Sequence, residues 1–303
     1  MPDVYSPHRP HRSEFLTLRG LRHHLLRWGD PEANRPPLVM LHGWMDVGAS
    51  FQFIVDAMPG EREIVALDWR GFGLSEPSPA DCYWFPDYLA DLDALIDALS
   101  PAAPVDLLGH SMGGNVAMTY AGVRPQRVRR LVNLEGFGMP DVSPAAAPER
   151  LARWLDELKN PPFLRPYATL ADVAERLMNN NHRLGASKSA WLAGHWARQA
   201  EGEPERYLLN ADAAHKLTSP VLYRKAEALA CWQRIAAPVL WLEGSDDQLT
   251  RFWGKRFPRE EFEARLAVVP SVERAVIHNA GHMLHHDQPE AVAARVSEFL
   301  AVE

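Results

Sequence analysis

A serine between two glycines is the clearest chemical signal in the sequence. The segment Gly109-His110-Ser111-Met112-Gly113 has the pattern G-x-S-x-G, and it follows the apolar run VDLL and precedes a helical stretch. Glycines suit a sharp turn from strand to helix because side chains there have no space. The unpaired N–H groups of the helix start favour developing negative charge. The pattern therefore predicts Ser111 as a nucleophile, with a purely structural turn as the alternative.

A serine hydroxyl needs a base within hydrogen-bond reach and an acid that orients that base. His282 follows the apolar segment AVIHNAG and stands next to Gly281. Its neighbours His285 and His286 are closer to the next helical stretch, so His282 is the predicted base. No H-E-x-x-H spacing accompanies these histidines, which argues against a metal role. The sequence predicts neither a metal site nor a cofactor.

The predicted acid is Asp247. It follows the apolar run PVLWLEG, where a strand ends, and its neighbour Asp246 is interpreted as a surface residue. Ligands and catalytic groups of open α/β sheets gather at the carboxyl ends of strands. The chain order Ser111, Asp247, His282 is also the order expected when the nucleophile lies on a sharp turn from strand to helix, and it differs from the orders of two common protease types.

The elements that must position these residues alternate between short β-branched runs and helical patterns. This alternation predicts an α/β fold with a mostly parallel sheet covered by helices on both faces. Residues 14–28 predict an antiparallel hairpin at the sheet edge, and apolar spacing predicts helices over Phe85 to Leu99 and Pro289 to Leu300. The predicted parallel strands are Pro37 to Leu41, Glu63 to Asp68, Val105 to Leu108, Val128 to Leu134, Pro238 to Leu242 and Arg274 to His278.

Residues 136–232 interrupt the alternation. The interval shows no clear strand and is rich in proline, tryptophan and histidine, so we expect a helical cap inserted into a core formed by residues 1–135 and 233–303. Trp154, Trp191 and His195 could wall an apolar substrate pocket with a polar contact. The alternative is that these side chains only attach the cap to the core.

The composition limits the partners. The 39 acidic and 32 basic side chains give a net charge of −7, which is unlike the basic surface that binds nucleic acid. Cys82 and Cys231 belong to no disulfide or zinc pattern. The N-terminus has no apolar signal region, and no stretch is long enough to insert into a membrane. We expect a cytoplasmic protein with a small-molecule partner, and the oligomeric state is left open.

Six motifs give the chain a family resemblance. Over nearly its whole length it resembles the α/β-hydrolase superfamily, and within it the serine hydrolase-like group with a helical cap. The motifs are LHGWMDVGASF (41–51), LDWRGFGLS (67–75), GHSMGG (109–114), LVNLEGFG (131–138), LEGSDDQ (242–248) and NAGHMLHHDQPE (279–290).

The resemblance implies a role for each matching residue. Ser111 would be the nucleophile, His282 the general base and acid, and Asp247 the orienting carboxylate. The backbone N–H groups of Trp44 and Met112 would bind the oxyanion. Glu135 is an alternative acid, because some members of the superfamily supply the carboxylate from this strand end.

The expected reaction is acyl transfer to water, with a small carboxylic ester or thioester as substrate. Relatives with an aspartate nucleophile cleave haloalkanes or epoxides, so Ser111 disfavours those reactions. Carbon–carbon bond hydrolysis and cofactor-free haloperoxidase or perhydrolase chemistry use the same triad and remain alternatives. A catalytically silent ligand-binding protein on the same fold is a further alternative.

Overall fold

A computed structural model describes residues 5–31 and 35–302 of the chain. Its main sheet has eight strands in the order β1-β2-β4-β3-β5-β6-β9-β10, and β7 pairs with β8 separately. The strands are β1 (Arg12–Leu18), β2 (Leu21–Trp28), β3 (Leu38–Leu41), β4 (Ile64–Leu67), β5 (Val105–His110), β6 (Val128–Leu134), β7 (Ala197–Ala200), β8 (Glu203–Leu209), β9 (Val239–Gly244) and β10 (Val272–Ile277). The strands from β4 to β10 in this order run parallel, which confirms the predicted fold class.

Helices cover both faces of the main sheet. Alternate side chains of each central strand face opposite helical layers. Met40 therefore belongs to one buried cluster with Ile54 and Val296, and Val39 belongs to another with Leu92. The helices are α1 (Gln52–Ala57), α2 (Phe85–Leu99), α3 (Met112–Val123), α4 (Ala147–Lys159), α5 (Leu170–Asn180), α6 (Ala186–Trp196), α7 (Lys225–Trp232), α8 (Gln248–Trp253), α9 (Arg259–Leu266), α10 (Leu284–Asp287) and α11 (Pro289–Ala301).

The predicted edge hairpin is confirmed. Strands β1 and β2 pair antiparallel from Arg12 with Arg27 to Leu18 with Leu21. The two connecting residues, Arg19 and Gly20, both have positive φ, at 50° and 81°. Two-residue turns of this kind match the right-handed twist of the flanking strands. The hairpin joins the parallel strands through the antiparallel pairing of β2 with β4.

The interval between β6 and β9 holds helices α4 to α7 and also the antiparallel pair β7 and β8. The expectation that this interval lacks strands is therefore wrong. Most of β8 is exposed, so it has no regular alternation of apolar and polar residues that would indicate a half-buried strand. Within the described residues, no helix combines the length and apolar character needed to span a bilayer.

A close contact between α3 and α7 depends on Gly122. A Cβ atom at Gly122 would lie 2.0 Å from the carbonyl oxygen of Cys231 in α7, whereas a Cβ at Gly194 in α6 would meet no atom within 4 Å. Alanine normally stabilises a helix interior relative to glycine by about 1 kcal/mol. Substituting alanine at each glycine therefore separates the effect of helix propensity on stability from the effect of packing between α3 and α7.

We expect Gly122→Ala to lower the free energy of unfolding by about 1–3 kcal/mol, because the methyl group forces α3 away from α7. Gly194→Ala should be neutral or stabilising by up to ~1 kcal/mol. Urea denaturation of both variants measures these values. Equal stability of the two variants would show that α3 and α7 do not approach as closely as described.

Candidate active site

The turn at Ser111 joins β5 to α3. Ser111 has φ 51° and ψ −114°, a conformation that non-glycine residues rarely adopt. A Cβ atom at Gly109 would lie 2.4 Å from the carbonyl oxygen of Gly113, and one at Gly113 would lie 2.0 Å from the carbonyl oxygen of Leu41. Glycine is therefore needed at positions 109 and 113, because neighbouring backbone segments leave no space for a Cβ atom. The turn places the serine side chain at the carboxyl end of the parallel strands.

His282 lies in the loop between β10 and α10, and its partner is Glu135. The Nδ1 atom of His282 is 2.8 Å from Oε2 of Glu135. The other carboxylate oxygen, Oε1, accepts the backbone N–H of Gly244 at 2.8 Å. Because a carboxylate accepts, Nδ1 carries the proton, which leaves Nε2 as the nitrogen able to act as a base.

Glu135 is almost completely buried, with 2% of its surface exposed. Burial raises the pKa of Glu135 above its ordinary value, although the hydrogen bond and the charge of His282 act in the opposite direction. A carboxylate in such a place gains most when the ring beside it becomes positively charged. The pair is therefore suited to stabilise an imidazolium at His282.

The structure does not place Asp247 beside His282 as the sequence predicts. Asp247 caps α8 by accepting the backbone N–H of Thr250 at 3.2 Å, and it pairs with Arg259 at 3.0 Å. Burial opposes ionisation of Asp247, but these hydrogen bonds lower its pKa overall. Asp246, the neighbouring carboxylate, pairs with Arg183. In this geometry the contact expected of the acid is made by the alternative residue, Glu135.

Two residues around His282, His110 and Asp287, escaped the sequence reasoning, and Phe252 was ambiguous between a pocket residue and a packing residue. His110 donates from Nε2 to the carbonyl oxygen of His282 at 2.8 Å, and Asp287 accepts the N–H of Gly281 at 2.8 Å. The ring of Phe252 lies edge-on to the imidazole, with 5.0 Å between centroids. The only sequence signal for His110 was its place inside the serine motif. These contacts hold the loop and one face of its ring.

The two predicted oxyanion donors are at suitable backbone positions. Met112 begins α3, so its N–H has no acceptor one turn earlier in the helix. Trp44 lies in the loop after β3, and within the described residues its N–H has no backbone acceptor. The neighbouring His42 is a structural residue: its Nε2 accepts the N–H of Trp69 at 3.0 Å, and its Nδ1 is 2.7 Å from the carbonyl oxygen of Gly43.

The contacts of the predicted pocket residues are with the N-terminal segment and the core. Trp191 packs edge-on against Tyr5 and Phe53, at 5.4 and 5.8 Å between ring centroids. The ring centroid of His195 lies 4.3 Å from that of Trp191 in the same helix and 5.4 Å from that of His11, and burial lowers the pKa of His195 to about 4. Trp154 keeps its indole N–H buried without a partner in the described part of the chain. The contacts of Trp191 and His195 agree with the alternative that they attach the cap.

Known proteins share this architecture. Residues 36–289 match the family described as the alpha/beta hydrolase fold. The chain is 27% identical over 282 residues to a serine hydrolase-like protein of Danio rerio, covering 90% of this chain and 83% of that protein. It is 24% identical over 273 residues to an esterase of Escherichia coli (strain K12), covering 88% and 94%. The solved thioesterase domain from the curacin biosynthetic pathway superposes with a TM-score of 0.79 at 25% identity, covering 94% and 98%.

The hydrogen bond between His282 and Glu135 predicts the tautomer of the imidazole. At a pH where the ring is neutral, we expect long-range ¹H–¹⁵N spectra to show a protonated Nδ1 and an unprotonated Nε2. Glu135→Gln should remove this preference, whereas Asp247→Asn should leave the His282 signals unchanged. A response to Asp247→Asn alone would contradict the described geometry.

Proposed function

Because the chain belongs to the α/β-hydrolase fold family, we propose that it hydrolyses small-molecule carboxylic esters or thioesters through an acyl-enzyme on Ser111. The observation that carries this proposal is the serine on a strained turn combined with a histidine whose Nδ1 is committed to a buried carboxylate. A serine nucleophile, a base with a free nitrogen and an orienting acid are the groups that acyl transfer needs.

In the proposed mechanism, Nε2 of His282 accepts the proton as Oγ of Ser111 attacks the substrate carbonyl. Glu135 stabilises the resulting imidazolium, and the N–H groups of Trp44 and Met112 bind the oxyanion. The intermediate collapses when His282 returns the proton to the leaving alcohol or thiol. Water then attacks the acyl-enzyme by the same proton transfers, which releases the carboxylic acid and restores Ser111.

The choice of esters and thioesters is supported by the relatives, whose names include an esterase and a thioesterase domain. Two exposed aromatic side chains near the site also favour an apolar substrate group. The side chain of Trp44, whose backbone N–H is a proposed oxyanion donor, is 52% exposed, and Phe252 is 48% exposed against the ring of His282. We propose that these side chains contact the acyl or alcohol group, since exposed apolar surface often marks a binding site.

Ser111→Ala should lower kcat for a short-chain chromogenic ester by about 10⁴-fold or more. Ser13→Ala is a matched control, because Oγ of Ser13 also lies 2.7 Å from a histidine, His24, which pairs with Asp68. Ser13 is on the exposed edge strand β1, so its loss should leave turnover unchanged. A fluorophosphonate probe should label Ser111, displacing fluoride, and spare Ser13.

The outcomes of this experiment separate the alternatives. Turnover by Ser111→Ala within tenfold of the wild type would contradict the proposal. A wild type that neither reacts with the probe nor hydrolyses a panel of esters and thioesters would favour a silent ligand-binding protein. Labelling of Ser111 without turnover of any ester or thioester would favour carbon–carbon bond hydrolysis or peroxide-dependent chemistry.

A second pair of variants tests the proposed acid. Glu135→Gln should reduce kcat by about 10⁴-fold, because an amide favours the wrong tautomer of His282 and cannot stabilise the imidazolium. Asp247→Asn should retain kcat within about tenfold, since that carboxylate contacts Thr250 and Arg259 instead. Steady-state kinetics on variants with native circular dichroism measure both. The opposite ranking would return the role to Asp247.

A further inference from the structure

Beneath the serine turn, three buried side chains from separate segments lie together. They are Asp46 from the loop after β3, His110 at the end of β5 and His285 in α10. One carboxylate oxygen and one ring nitrogen from each histidine all lie within 4.8 Å of one another. Exposure is 4% for Asp46, 2% for His110 and 0% for His285.

Only one of the two carboxylate oxygens of Asp46 makes hydrogen bonds shorter than 3.5 Å to the described residues. Its Oδ1 accepts the N–H of Val47 at 2.8 Å and the hydroxyl of Ser50. Its Oδ2 is buried and has no hydrogen-bond partner within 3.5 Å among the described residues, although the indole N–H of Trp196, which also lacks such a partner, is near enough to favour the ionised carboxyl. A buried carboxylate oxygen without a partner is destabilising unless another group compensates its charge.

The tautomer of His110 is fixed by the loop above it. Its Nε2 lies 2.8 Å from the carbonyl oxygen of His282, which can only accept, so the proton is on Nε2. Nδ1 therefore presents a lone pair, and it is buried with no partner in the part of the chain that the structure describes. The backbone of Gly43 passes so close that a Cβ there would be 3.0 Å from Nδ1.

His285 completes the cluster. Both of its ring nitrogens are buried and lack partners within the described residues. Its ring packs between Phe51, His110 and His286, with centroids 5.4, 4.5 and 4.4 Å away. Each of the three side chains thus has at least one ligand atom without a hydrogen bond, and one ligand atom from each lies within 4.8 Å of the others. Such a donor set has the chemistry of a metal site, contrary to the expectation from the sequence, because its ligands come from three separate segments and form no local motif.

We propose that Asp46, His110 and His285 bind a divalent transition-metal cation such as Zn²⁺. Two imidazole nitrogens and one carboxylate oxygen suit this class of ion, whereas Mg²⁺ and Ca²⁺ prefer oxygen alone. Ligand atoms around a tetrahedral Zn²⁺ with bonds of 2.0–2.1 Å are about 3.4 Å apart, so atoms that lie within 4.8 Å of one another need to approach by up to ~1.4 Å. A fourth position would remain for water.

The surroundings of His110 match those of a metal ligand. Metal-bound histidines usually donate their other ring N–H to a carbonyl or carboxylate, as His110 does to the carbonyl of His282. The ion would neutralise Asp46 and tie the loop after β3 to the loop of His282. Its proposed role is structural, and no step of the proposed hydrolysis passes through it.

The test uses the full chain refolded with ZnCl₂ or with chelator, because the site is closed to solvent. After dialysis, we expect about one equivalent of zinc by mass spectrometry and a melting temperature several degrees above that of the chelated protein. Asp46→Asn and His285→Gln should each weaken zinc binding at least tenfold. His182→Gln, which removes an exposed histidine, is the control and should bind like the wild type.

Two results would overturn the proposal. One is less than 0.1 equivalent of zinc in the refolded wild type. The other is zinc binding that the Asp46 and His285 variants retain. If those variants do not fold, X-ray absorption of the zinc-loaded wild type decides: two imidazole ligands and an oxygen support the site, and a shell without imidazole contradicts it. Ring ¹⁵N shifts of His110 Nδ1 should also change with zinc.

Discussion

The strained backbone at Ser111 is the constraint on which the site depends. A positive φ at a non-glycine residue costs free energy, so the surrounding structure must impose it. Two hydrogen bonds do so: the N–H of Ser111 donates to the carbonyl of Leu134 at 2.9 Å, and its own carbonyl accepts from Asn115 at 3.0 Å. Strand β5, its neighbour β6 and helix α3 therefore meet at this residue. The half-buried serine is thus held at the strand end by the sheet on one side and the helix on the other.

Positive φ recurs at the same edge of the sheet. Besides Ser111, the described non-glycine residues with positive φ include Met45 in the loop after β3, Glu135 after β6 and Asn279 after β10. Each follows a strand whose carboxyl end faces the site. Stored backbone strain is common at functional sites, where tight turns aim side chains at one point. Here the turn at Glu135 directs the carboxylate towards the loop of His282.

The sequence predicts most strands and the turns on which Ser111 and His282 lie, but it does not predict which carboxylate contacts His282. Ser111 has a local signature, whereas the partner of His282 depends on which strands are neighbours. Because β9 lies between β6 and β10, Glu135 comes beside both Gly244 and His282. No spacing along the chain reveals that order.

The preference for Asp247 also rested on a local interpretation of its loop. A carboxylate at a strand end can equally begin a helix, and Asp247 does so for α8. Its pairing with Arg259 could not be read from the chain either, since that residue lies 12 positions later. Gly244 is required by a close approach, because a Cβ there would lie 2.4 Å from the carbonyl of Ala280.

The hydrogen bonds of His42 and His282 show why one imidazole is suited to a structural role and the other to proton transfer. His42 is fully buried, with both ring nitrogens committed to backbone groups, and burial lowers its pKa to about 4. The Nδ1 atom of His282 is also hydrogen-bonded, in this case to Glu135. The side chain of His282 is, however, 24% exposed, and its Nε2 makes no hydrogen bond to the described residues. A ring whose two nitrogens are both hydrogen-bonded has no nitrogen left for proton transfer, whereas a ring with one unbonded nitrogen does. What distinguishes His282, the proposed base, from His42 is therefore one ring nitrogen without a hydrogen bond to the described residues.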